Sequence, residues 1–131
     1  MKNVFACPHC DAVLNPNVKV VLQMTFGDRK GLILLSPQPG NFKFICDESL
    51  RDAIKLGSLI EFNCPVCGAD LTSRETDKLA ELNLVTPGGN LRQVRFSRVY
   101  GTYATFVIDG DDVTSYGADA GEFSATNFFG A

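Results

Sequence analysis

Residues 5–14 read Phe-Ala-Cys-Pro-His-Cys-Asp-Ala-Val-Leu, and residues 62–71 read Phe-Asn-Cys-Pro-Val-Cys-Gly-Ala-Asp-Leu. The two stretches agree at Phe5/Phe62, Cys7/Cys64, Pro8/Pro65, Cys10/Cys67, Ala12/Ala69 and Leu14/Leu71. A tight Cys-x-x-Cys turn holds both of its sulfurs toward one ion and leaves backbone N–H groups free to donate to them. Two such turns supply four thiolates, the ligand set of a closed tetrahedral metal site. Cys7, Cys10, Cys64 and Cys67 are therefore read as the ligands of one structural zinc ion, ahead of iron. Zinc with four thiolates carries a formal charge of about −2, and the N–H donors lower the cost of holding it.

Between Cys10 and Cys64 lie 53 residues, where compact four-cysteine sites place ~15–20 between pairs. Lengthening the loop costs about 1 kcal/mol by loop-closure scaling. Structural zinc binding is on the order of 10 kcal/mol or more, so the longer excursion does not defeat the site. The intervening chain must form a sheet that returns one knuckle to the other.

Three other uses of these residues compete with that reading. Cys7-Pro8-His9-Cys10 looks like the tetrapeptide of thioredoxin-fold disulfide oxidases, but that chemistry needs the first cysteine at a helix N-terminus. Asn15-Pro16 follows too soon for a long helix, and a second pair echoes the first. Cys64-Pro65-Val66-Cys67-Gly68 resembles a rubredoxin iron knuckle, yet Asp11 stands where the first knuckle would carry Gly and the chain has no Trp. His9, the single histidine, reads as an exposed turn residue. Cys46, the fifth cysteine, has no Cys-x-x partner and reads as a small core residue.

Outside the knuckles the apolar periodicity is that of strands. Residues 18–26 and 32–35 flank a polar, Gly-containing loop at 27–31, which makes a hairpin; a third strand follows at about 41–46. Residues 47–57 have some helical character, with Asp47 as cap and Leu50, Ala53 and Ile54 on one face. Leu59 to Phe62 runs as a strand into the second knuckle. The stretch 79–85 is ambiguous by period, and the turn Thr86-Pro87-Gly88-Gly89-Asn90 before a strand at 91–99 resolves it as β. A last hairpin joins 103–108 to 113–116 through Asp109-Gly110-Asp111-Asp112. The expected fold is mainly β: a zinc ribbon with an inserted sheet at about 17–61, a C-terminal antiparallel meander at about 79–116, some eight strands and at most one short helix. Residues 1–116 are expected to form a single domain, and 117–131 a flexible or docking tail.

Composition narrows the function. An apolar fraction of 45% is that of a globular chain, and the net charge of −3 offers no general attraction to nucleic acid or anionic lipid. No apolar run approaches the ~18 residues of a membrane helix. The stretch before Cys7 is too short for a signal peptide, so cytoplasmic residence is expected. Arg92, Arg95 and Arg98 with Tyr103 give one strand a basic, aromatic character that can hold a single-stranded nucleic acid. The competing reading is a solvated sheet face with charges guarding an edge. Phe123, Phe128 and Phe129 in the Gly/Ala-rich tail are candidates to dock on the sheet or on a partner. Neither a catalytic constellation nor a phosphate-binding loop can be assembled.

The paired Phe-x-Cys-Pro-x-Cys-x-Ala-x-Leu stretches resemble the zinc-ribbon class, split by an inserted sheet, and the whole chain looks like small bacterial zinc-ribbon proteins with a β-rich body. That resemblance implies fold and metal, and no activity. The function expected is a non-catalytic zinc-binding protein with a protein partner; a nucleic-acid-binding ribbon is the alternative.

Overall fold

The computed structural model describes residues 3–124, 126 and 128. The chain is mainly β, in two antiparallel sheets. Its strands are β1 (Val4–Ala6), β2 (Val20–Phe26), β3 (Arg29–Leu35), β4 (Phe44–Cys46), β5 (Glu61–Asn63), β6 (Leu79–Val85), β7 (Leu91–Ser97), β8 (Thr105–Asp109) and β9 (Asp112–Tyr116). One helical turn and a half, α1 (Glu48–Ala53), follows β4, and a 3-10 turn at Ala120–Phe123 follows β9. One sheet has the order β1-β6-β7-β8-β9 and the other β4-β3-β2-β5.

Nine strands stand where about eight were expected, because the entry to the first knuckle is itself a short strand, β1. The first hairpin is also tighter than its composition reads. Phe26 pairs with Arg29 across a Gly27–Asp28 turn, so Arg29 and Lys30 extend the ladder with their side chains exposed. Polar residues there mark the solvent side of an edge-facing ladder, not a loop. A second Gly-Asp turn joins β8 to β9, where Asp109 pairs with Asp112. Helix α1 starts where Asp47 accepts from the Ser49 N–H at 2.8 Å, and it ends at Ile54, before Gly57.

The register contains a relation that the sequence conceals. In one sheet Ile33, Leu34 and Leu35 face Cys46, Ile45 and Phe44; in the other, 61 positions on, Val94, Arg95 and Phe96 face Val107, Phe106 and Thr105. Met24 faces Phe62 on β5, and Leu84 faces Phe5 on β1. Strands β1–β4 and β5–β8 are thus two copies of one arrangement, and each copy has handed its first strand to the other's sheet. The inward positions of both copies share one core: Phe5, Leu22, Met24 and Ile33 with Phe62, Leu82, Leu84 and Val94 are all buried in a single cluster. Phe62 and Phe96 bring their rings to 5.2 Å across the two sheets.

The outer face of the five-stranded sheet is covered by the chain's own end. Gly117 passes so close to the Tyr103 carbonyl that a Cβ there would collide with backbone. The Tyr103 N–H donates to Asp119 Oδ2 at 2.8 Å, and Phe123 and Phe128 lie 5.7 and 5.0 Å from the Phe106 ring. Phe123 is buried. Two of the three tail phenylalanines therefore dock on the protein itself; Phe129 lies outside the described residues. No helix among the described residues is long and apolar enough to cross a membrane.

Candidate metal centre

Each knuckle is shaped by its own ten residues before any ion is considered. In the first, Cys7 N–H donates to Ala12 O at 3.0 Å, Asp11 N–H to Cys7 O at 2.9 Å and Leu14 N–H to Phe5 O at 2.7 Å. In the second, the same bonds run from Cys64 to Ala69 (3.0 Å), Gly68 to Cys64 (2.9 Å) and Leu71 to Phe62 (2.9 Å). The shared Phe and Leu explain why the pattern holds: Phe5, Phe62, Leu14 and Leu71 are all buried, and they pin each turn into the core. Left-handed backbone is required just past each second cysteine. Gly68 supplies it at φ 75°, and Asp11 at φ 63° is the single described non-glycine residue with positive φ.

The two knuckles leave from opposite sheets and cross. β1 is an edge strand on β6, yet after the first knuckle the Leu14 carbonyl accepts from Val21 N–H of β2 at 2.7 Å. β5 is an edge strand on β2, yet the Leu71 carbonyl accepts from Glu81 N–H of β6 at 2.7 Å. The exchange brings four sulfurs together, all within 4.8 Å of one another. Cys7 lies 3.8 Å from Cys67 and Cys10 lies 3.7 Å from Cys64. A metal–sulfur length of about 2.3 Å in a tetrahedron gives edges of about 3.8 Å, so the cluster has the size of a four-thiolate site. A disulfide needs about 2.05 Å, and all five cysteines are free.

Backbone N–H groups face the sulfur at each inner position. His9 N–H points at Cys7 Sγ at 3.3 Å, and the N–H groups of Val66 and Cys67 point at Cys64 Sγ at 3.4 Å each. Cys7 and Cys64 are fully buried, whereas Cys10 and Cys67 are exposed. The two inner thiols differ in their titration. Burial pushes the Cys7 thiol up to about 12 against the N–H groups of His9 and Cys10. Burial pushes Cys64 the same way, but the N–H groups of Cys67 and Val66, with the thiols of Cys10 and Cys7, outweigh it and bring it down to about 7. The donor set is soft and saturated, which suits zinc or iron and leaves no coordination position for substrate.

Residues outside the cluster fall as follows. His9 is exposed, with only its backbone turned to sulfur. Cys46 is half-buried on β4 opposite Ile33, apart from the four clustered cysteines. The basic strand is not a surface. Arg95 is 2% exposed, paired with Glu75 at 2.7 Å and Glu81 at 3.3 Å. Arg98 is buried and donates to the carbonyls of Ile60 at 2.8 Å and Asp77 at 2.6 Å. Arg92 pairs with Asp109, and Tyr103 packs on Phe42. Only Arg92 and Tyr103 of that set reach solvent. Sequence reasoning also passed over Asn15, read as a turn residue: its side chain accepts from Phe5 N–H at 2.8 Å and donates to Asn3 O at 2.9 Å, closing the first knuckle against its own strand. A buried amide in a turn leaves no periodic signal.

No family model matches the chain, and no curated protein or solved structure matches it either.

Proposed function

We propose that the chain is a non-catalytic interaction protein whose two interlocked halves are fastened by one structural zinc ion held by Cys7, Cys10, Cys64 and Cys67. Bound there, the ion would supply a cross-link between sheets, with no open position for chemistry. One observation supports the interaction role. Leu34 and Ile45 correspond, through the internal repeat, to Arg95 and Phe106. Glu75 and the segment carrying Phe123 and Phe128 cover that second pair. On the first copy Ile45 is 55% and the neighbouring Leu32 57% exposed. An apolar sheet face of this kind is where a protein partner presenting aliphatic or aromatic side chains would sit.

The reading has two tests. Metal analysis of protein purified without added metal should return one zinc per chain; iron or no metal removes the zinc assignment. In affinity purification, the double variant Leu32→Glu/Ile45→Glu should lose a protein that the parent chain retains, with metal content and melting temperature unchanged. Retention of the same proteins by both would end the assignment of this face.

A further inference from the structure

The inner faces of the two sheets part toward the loops 36–43 and 98–104, leaving a cleft of about 1110 Å³ that the metal ligands do not line. The volume is slightly above the range of small-molecule sites, roughly 300–1,000 Å³. Met24, Phe62, Leu82 and Val94 form its apolar depth. Its sides are aromatic pairs from the two copies, Phe42 with Tyr103 at 5.1 Å and Phe44 with Tyr100 at 6.1 Å. Apolar surface continues to the mouth, where Leu56 is 82% exposed.

Charge gives the cleft a sign. Every charged side chain lining it is a cation (Lys19, Lys43, Arg51 and Arg98), in a chain where Asp and Glu outnumber Lys and Arg 15 to 12. Arg98 is spent on backbone carbonyls. Arg51 sits over the Phe44 ring at 5.1 Å. Among the described residues, none of Lys19, Lys43 and Arg51 is held in an ion pair. An exposed cation alone holds a carboxylate weakly in water, and an apolar wall alone does not choose a head group. Together they select a molecule with both parts.

We propose that this cleft binds a small amphipathic carboxylate, its hydrocarbon body between the sheets and its carboxylate among the cations of the mouth. None of the four clustered cysteines lines the site, and of the exposed pair Leu32 and Ile45 only Ile45 reaches its lining.

Decanoate, decan-1-ol and decylammonium titrated into the metal-loaded full chain test it, with backbone amide shifts as the readout. Decanoate should bind at least tenfold tighter than decylammonium, with the largest shifts at Phe42, Phe44 and Tyr100. Two further methylenes on the carboxylate should tighten it several-fold. The double variant Lys43→Gln/Arg51→Gln changes only exposed side chains. It should weaken decanoate about tenfold and leave decan-1-ol unchanged. Equal binding of the anionic and cationic chains, shifts centred outside the cleft, no binding at millimolar decanoate, or no loss in the double variant would each overturn the proposal. So would binding to phosphatidylglycerol vesicles without binding to free decanoate, which would make the mouth a membrane-facing patch.

Discussion

Three residues carry more of the fold than their types announce. Asp11 and Gly68 occupy the same left-handed position in the two knuckles, at φ 63° and 75°. An L side chain there costs roughly 1–2 kcal/mol, less for Asp, which tolerates the region. Asp11→Gly is therefore expected to stabilise the metal-loaded protein by about 0.5–1 kcal/mol, and Gly68→Ala to destabilise it by about 1 kcal/mol, both read by denaturant unfolding. Opposite signs at matched positions are the outcome to look for; equal signs would contradict the equivalence. Arg95 is the third. It faces Glu81 across the ladder and Glu75 from the loop before β6, with Arg95 and Glu81 buried and the Glu75 side chain 9% exposed. Arg95→Met leaves two largely buried carboxylates without a cation and should cost about 3–5 kcal/mol. A loss under 1 kcal/mol would mean that the pair is solvated. As a probe of nucleic-acid binding the same substitution is uninformative, because it removes structure first.

At the scale of elements, periodicity was legible and capping decided the ends. Strand β2 was readable because inward apolar residues alternate with freer outward ones, whereas β6 and β8, covered on both faces for most of their length, lack that alternation and were legible from the turns beside them. β1 escaped notice because its three residues are too few to display a period. The short helix α1 depends on its cap. Leu50 and Arg51 N–H groups both reach the Asp47 carbonyl, while the Asp47 side chain accepts from Ser49. The Ser49 hydroxyl and N–H hold the Asp47 carboxyl below its usual value. A lowered folded-state value contributes stability that is present above the ordinary aspartate range and is lost as pH falls through the lowered one. Amide exchange at Leu50 and Arg51 should stay slow from pH 7 to about pH 4 and quicken below it, and Asp47→Ala should abolish that step. A step near neutrality would point to another group.

For the whole molecule, the cysteine cluster adds a link to the hydrogen bonds that already pass between the two sheets. β1 and β5 are edge strands of different sheets, and each knuckle crosses to the other sheet on leaving. The shared core still spans both sheets, so metal loss should loosen the assembly without dissolving every strand. Cys10→Ser, or a chelator, should cost several kcal/mol and lower the melting temperature by more than about 10 °C. A melt indifferent to chelator would make the cluster dispensable to the fold.

The sequence by itself determined the knuckles, the β class and which four cysteines would cluster. Local turn geometry and a two-residue side-chain period are written in short stretches, whereas the 3.8 Å approach of Cys7 to Cys67 joins residues 60 apart. Only the tertiary structure decided that the chain is one arrangement used twice with its first strands exchanged. Outside the knuckles the two copies share little identity. Inward positions need only to be apolar, so Val20 and Ala80, or Ile33 and Val94, serve equally well. Burial of Arg95 and Arg98 was likewise decided by partners distant in the chain. A guanidinium enters the interior when carboxylates or carbonyls arrive to meet it, and the neighbouring residues say nothing about that arrival.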